Sequence, residues 1–125
     1  MKWIDYATPT SLDGATGILN EHREKARVLA GGTDLLNLMR VNPSRVNSPD
    51  LIVDIKKIPE LNEISYNVDD GLTLGAAVPC YKIYQNHEIA KAYPGLIDSA
   101  SLIGGIQIQG RASICLLYTY DAADE

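Results

Sequence analysis

The chain has 125 residues and a mass of 13.6 kDa, about one small domain and too little for a multidomain enzyme working alone. Eleven Lys and Arg against sixteen Asp and Glu give a net charge of −5, which argues against a nucleic-acid backbone or an anionic membrane as partner. No run approaches the roughly 20 apolar residues of a membrane span. The amino terminus, Met1-Lys2-Trp3-Ile4-Asp5, is too acidic and too short in apolar stretch for a signal peptide, so a cytoplasmic location is expected.

Thr10-Ser11-Leu12-Asp13 has the form of a capping box, and Leu12, Ala15, Ile18 and Leu19 follow at helical spacing, which predicts a helix from about Ser11 to Glu21. Gly14 and Gly17 weaken it by roughly 1 kcal/mol each relative to Ala, unless close packing needs them. Arg27-Val28-Leu29-Ala30 predicts a buried strand stopped at Gly31-Gly32. Thr33 or Asp34 then caps a second helix with Leu35, Leu36, Leu38 and Met39 on its apolar side, ending by Val41-Asn42-Pro43. After a polar loop through Pro49, Leu51-Ile52-Val53-Asp54-Ile55 suits a central strand covered on both faces, paired in parallel with Val28–Ala30.

Beyond Pro59 the pattern changes. Residues 63–68 and 72–76 alternate about the turn signal Asp69-Asp70-Gly71, which predicts a hairpin. Tyr81–Tyr84 begins a short helical stretch after Pro79, and Leu96 to Ile103 is apolar enough for a buried helix stopping at Gly104-Gly105. Ile106 to Ile114 is expected to be strand-like.

The sharpest feature is Val28-Leu29-Ala30-Gly31-Gly32-Thr33-Asp34-Leu35, a strand running through two glycines into a helix. Such a turn exposes backbone N–H groups at the positive end of a helix, where they can hold a phosphate or diphosphate, and Thr33 adds a hydroxyl. It is neither a Walker loop nor a Gly-x-Gly-x-x-Gly fingerprint, and the alternative is a plain turn with Asp34 as an ordinary cap. Arg111 is taken as a solvated charge on an edge strand ahead of a direct ligand contact, and Gly75-Ala76-Ala77 either leaves room for a flat ring or is a run of small core residues that needs no ligand. His22 and His87 sit among polar neighbours as surface residues. Cys80 and Cys115 lie 35 positions apart without a Cys-x-x-Cys pair, so this chain alone assembles no iron–sulfur or zinc site, and Cys80 is expected to be a buried reduced thiol. Neither a nucleophile with its own base nor a carboxylate pair stands out, so redox chemistry here would need a cofactor.

Five segments in order carry a resemblance: Trp3–Leu12, the octet Val28–Leu35, Leu51–Ile55, Leu72–Ala77 and Ile108–Ile114. Over residues 1–114 the chain resembles the FAD-binding subunit or domain of the molybdenum hydroxylases, the group of xanthine dehydrogenase, the carbon monoxide dehydrogenase medium subunit and hydroxybenzoyl-CoA reductase. The resemblance implies an α+β fold of the PCMH-type FAD-binding kind. Residues 1–56 would form a small parallel-sheet subdomain and 57–114 the start of a larger antiparallel-sheet subdomain, truncated here, with FAD held between them. It implies that Val28, Leu29, Ala30, Gly31, Gly32, Thr33, Asp34 and Leu35 wrap the FAD diphosphate. It also implies that Ile103 stands where some relatives carry an aromatic residue near the flavin, and that Ser113 and Ile114 open a second glycine turn for the cofactor.

The function implied is that of an FAD-dependent oxidoreductase component passing electrons between iron–sulfur clusters and an acceptor such as NAD. A molybdopterin-binding large subunit and a small subunit with 2Fe-2S clusters would be its partners, without nucleic acid or membrane. Alternatives are another flavin reductase of the same cofactor fold, of the cell-wall precursor type, and a non-catalytic phosphate-binding module. After Ile114 the family's Gly-Gly-Asn is missing: Cys115 to Glu125 has no basic residue and carries Asp121, Asp124 and Glu125. This tail resembles the translation of a transposon-type sequencing adapter and is expected to be non-native, which the DNA of the source locus decides. The fragment alone is expected to be inactive, to bind FAD weakly and to be poorly soluble.

Overall fold

A computed structural model describes residues 3–41 and 49–114, and the chain divides into two units, residues 1–60 and 61–125. The loop expected through 42–48 and the tail from 115 lie outside the described residues.

The first unit is a three-stranded parallel sheet in the order β1-β3-β2, with β1 at Asp5–Ala7, β2 at Ala26–Leu29 and β3 at Leu51–Asp54. Its centre is β3, whose four residues, three apolar and the charged Asp54, are all buried between neighbours on both sides. Tyr6 pairs with Ile52 across one ladder and Arg27 with Ile52 across the other. The parallel pairing is as expected, but β2 begins one residue earlier and ends before Ala30, and Val28 is 44% exposed, so the strand is not buried along its whole length. β1 is an addition: three residues are too few to show a period of two.

Helix α1 spans Leu12–His22. Its N-cap is Ser11, whose hydroxyl accepts a hydrogen bond from the Gly14 N–H at 3.0 Å. The residue three beyond the cap is therefore Gly14 rather than Asp13, and the reciprocal half of a capping box has no side chain to make it. Ala15 is the buried residue of α1, and with Ala26, Leu29, Leu51, Ile52, Val53, Ile55 and Ile58 it belongs to this unit's apolar interior. Helix α2 runs from Leu35 to Val41.

In the second unit, β4 (Ile64–Asn67) and β5 (Gly71–Leu74) form the expected antiparallel hairpin, with Ile64 opposite Leu74 and Tyr66 opposite Leu72. Helices α3 (Cys80–Tyr84), α4 (His87–Ala92) and α5 (Pro94–Leu102) follow. Val78, Ile83 and Ile89 are buried under Ile64, Tyr66, Leu72, Leu74, Leu96 and Ile97 from the hairpin and α5. The edge of the Tyr66 ring meets the face of Tyr93, or the reverse, with centroids 5.8 Å apart at 87°. α4 escaped the sequence reading because it is short, yet its start is marked by Asn86, whose side chain caps the Ile89 N–H at 3.1 Å.

Two expectations fail here. α5 is not a buried helix: it starts earlier, at Pro94, and Ala100 is its buried residue while Leu102 is 79% exposed. Residues 106–114 are not a strand. Ile106–Gln109 is a helical turn, α6, and strand-like pairing survives only as a bridge between Ser113 and Pro79. The Ile-Gln-Ile-Gln alternation misleads because four residues fit either period, and here Gln109 is the buried side chain, donating from Nε2 to the Ser101 carbonyl at 2.7 Å.

Candidate functional site

The glycine turn leaves the sheet where β2 meets the end of β3. The Leu29 carbonyl accepts the Ile55 N–H at 3.0 Å, which extends the ladder one step past the strand. The next carbonyl, of Ala30, accepts from the Lys56 ammonium at 3.1 Å. The chain then reverses through Gly32 at φ +78°, a left-handed conformation that a Cβ disfavours. A side chain would be crowded as well: a Cβ there would lie 2.8 Å from Leu29 Cδ1 and 3.2 Å from Leu36 Cδ1, so those leucine ends would have to shift.

The Gly32 carbonyl accepts the Leu36 N–H at 3.0 Å and that of Asp34 accepts the Leu38 N–H at 2.8 Å, which starts α2. The expected side-chain cap is not made: among the described residues neither the Thr33 hydroxyl nor the Asp34 carboxylate has a hydrogen-bond partner, and main-chain bonds close the turn instead. Nor does any described residue accept from the N–H groups of Gly31, Gly32, Thr33 or Asp34. Four successive donors and a hydroxyl are thus available at one turn, a set suited to the oxygens of a diphosphate. Gly31, Gly32, Thr33 and Leu35 are half-buried, and the Asp34 side chain stands out to solvent.

Behind this turn lies a polar cluster that the sequence reading missed. Asp54 ends β3 at 5% exposure. Its carboxylate accepts from the Tyr6 hydroxyl on β1, from the Lys56 N–H at 3.0 Å and from the Lys56 ammonium at 2.8 Å. Burial pushes the Asp54 carboxyl up, but the hydrogen bonds from Lys56 and Tyr6 outweigh it and hold the group below the usual carboxylate range. Tyr6 is pushed above its ordinary value, first by donating to Asp54, then by burial and by the charge of that carboxylate. Only the Asp54/Lys56 spacing was visible in the sequence. The partner Tyr6 is 48 positions away, and register alone brings it alongside Ile52.

In the second unit Ile103 and Ile114 are half-buried against Cys80, Ala100 and Ala112, and Ile114 also packs against Val78, Ile83 and Ile89. Ser113 is half-buried beside Pro79, where the Cys80 N–H donates to the Ala112 carbonyl at 2.8 Å. Cys80 is a free buried thiol whose pKa is raised by burial, as its apolar surroundings imply. Gly75 leaves no room for a flat ring: a Cβ would lie 2.3 Å from the Leu61 carbonyl carbon and oxygen, so main chain occupies that space. Arg111 is exposed in a turn rather than on an edge strand, and His22 and His87 are exposed. Among the described residues no three His, Cys, Asp or Glu side chains converge on a metal position, and no helix is long and apolar enough to cross a membrane.

A sequence family described as “FAD binding domain in molybdopterin dehydrogenase” matches residues 2–115. The chain is 33% identical over 111 residues to the caffeine dehydrogenase subunit beta of Pseudomonas sp. strain CBB1, covering 89% of this chain and 36% of that protein. It is 30% identical over 116 residues to the nicotinate dehydrogenase FAD-subunit of Eubacterium barkeri, covering 91% and 38%. In structure it superimposes on a chain of the carbon monoxide dehydrogenase of Hydrogenophaga pseudoflava with a TM-score of 0.80 at 28% identity, over 90% of this chain and 38% of that one. The chain therefore spans little more than a third of the relatives it matches.

Proposed function

We propose, from the premise that this chain belongs to the family of FAD-binding domains of molybdopterin dehydrogenases, that it holds FAD by its diphosphate at the Gly31-Gly32 turn and serves as an electron-transfer component. The observation that carries this reading is the run of N–H groups from Gly31 to Asp34 that no described residue uses, at a Gly32 whose left-handed backbone disfavours any side chain. That donor set fits the cofactor the family binds. Val28, Leu29 and Ala30 lead the chain into the turn, Thr33 adds its hydroxyl and Leu35 begins the helix beyond it.

In the same reading Ile103, Ser113 and Ile114 belong to a second FAD-binding subdomain over residues 57–114, after a first over 1–56. Bound FAD would supply the redox chemistry. The chain's own residues would anchor and orient it. The partners of such a component are a molybdopterin-binding large subunit and an iron–sulfur small subunit, and its acceptor is NAD or a similar two-electron carrier. Operation in the cytoplasm and lack of turnover by the 125-residue chain alone complete the proposal. Expression from the native gene together with its neighbours tests it: a yellow protein with one FAD per copy of this polypeptide is expected. A colourless protein indifferent to added FAD would sink the assignment.

A further inference from the structure

We infer that Lys56 is a positioning residue for the glycine turn: held by Asp54, it fixes the Ala30 carbonyl and so aims the Gly31 N–H at the bound diphosphate. This rests on the proposed role of the turn. Two successive carbonyls ahead of the glycines are tied to the end of β3, Leu29 to the Ile55 N–H and Ala30 to the Lys56 ammonium. The Ala30–Gly31 peptide is trans and planar, so its N–H points opposite to its C=O. Fixing the carbonyl on Lys56 therefore fixes the Gly31 donor on the other side of the turn, where no described residue accepts from it.

Lys56 is itself set by two bonds to Asp54, one from its main-chain N–H and one from its ammonium. Asp54 is set in turn by Tyr6 across the β1–β3 ladder. The chain of contacts runs Tyr6, Asp54, Lys56, Ala30 carbonyl, Gly31 N–H. Asp54 is buried and Ala30 and Gly31 are half-buried, whereas Tyr6, Lys56 and the Lys56–Ala30 hydrogen bond are exposed. A lysine ammonium on a flexible stem makes a specific contact of this kind only when a second group restricts it, and the Asp54 carboxylate does so.

The test compares FAD with riboflavin, which has the same ring but no diphosphate, as ligands of the protein expressed from its native gene. Lys56→Met is expected to raise the FAD dissociation constant about tenfold, the scale of releasing one residue's backbone, and to leave riboflavin affinity unchanged. Lys56→Arg, which keeps a donor for Ala30 and a charge for Asp54, is expected to restore FAD affinity. Asp54→Asn separates positioning from direct charge pairing: an unanchored lysine positions the turn less well, so FAD should bind more weakly.

Equal loss of FAD and riboflavin affinity in Lys56→Met, or tighter FAD binding in Asp54→Asn, would overturn the inference. Should Lys56→Met fail to fold, Tyr6→Phe removes only a hydroxyl and should weaken FAD about threefold, and no change there would equally overturn it. Failure of the underlying reading looks different: the unsubstituted protein would then bind riboflavin as tightly as FAD.

Discussion

Gly32 carries two constraints at once, a left-handed backbone and a wall of Leu29 and Leu36 side chain where its Cβ would be. Gly32→Ala should destabilise the protein by about 1–2 kcal/mol in urea unfolding and abolish FAD binding measured by flavin fluorescence. Gly75 is stricter, since the obstacle is the Leu61 main chain rather than a mobile side chain. Gly75→Ala should cost about 3 kcal/mol or more by the same measurement. Both glycines were visible as turn or strand-end residues, but only the structure distinguishes a glycine kept for its backbone from one kept for its space.

Asp54 ties stability to pH at the same scale. Its folded carboxyl titrates below the ordinary value, so its contribution is present above about pH 4 and is lost as pH falls through the depressed folded value. Tyr6 is raised, so its contribution is present below about pH 10 and is lost as pH rises further. Urea unfolding across this range should show a plateau between these limits. In Asp54→Asn the plateau should drop and part of the acid slope should disappear.

At the scale of elements, α1 shows what capping and glycine do in one helix. Ser11→Ala removes the acceptor of the Gly14 N–H and should cost about 1 kcal/mol in thermal or chemical unfolding. Gly17 has no atom within 4 Å of the position its Cβ would take, so Gly17→Ala should stabilise by about 1 kcal/mol. Gly14→Ala should not, because its Cβ would crowd the Ser11 hydroxyl at 3.0 Å.

Elements with a single strong signal were legible in the sequence: β3 from a run that is apolar except for one acid, the hairpin from alternation about Asp69-Asp70-Gly71, and the β2–α2 turn from its paired glycines. The elements whose type was missed were short. β1 has three residues and α6 has four, and neither length can display a period; tertiary contacts to β3 and to the Ser101 carbonyl decide them instead.

At the scale of the whole molecule, the glycine turn was legible because local sequence builds it, whereas the Tyr6–Asp54–Lys56 cluster behind it was not, because sheet pairing assembles it from distant positions. The described residues also leave Trp3, Val41, Val68, Leu102 and Ile106 largely exposed, and the hairpin is a sheet of two strands. Large apolar residues facing water and free strand edges favour association. Sedimentation of the 125-residue chain should therefore show self-association that grows with concentration.

The central claim is that main-chain donors of the turn hold the diphosphate. Its most direct measurement is the amide spectrum of the protein expressed from its native gene, with Gly31, Gly32 and Thr33 assigned, during titration with FAD. Those three amide protons should move downfield together and saturate at one equivalent of FAD, while riboflavin should leave them in place. FAD that binds without moving them, or riboflavin that moves them equally, would contradict the account.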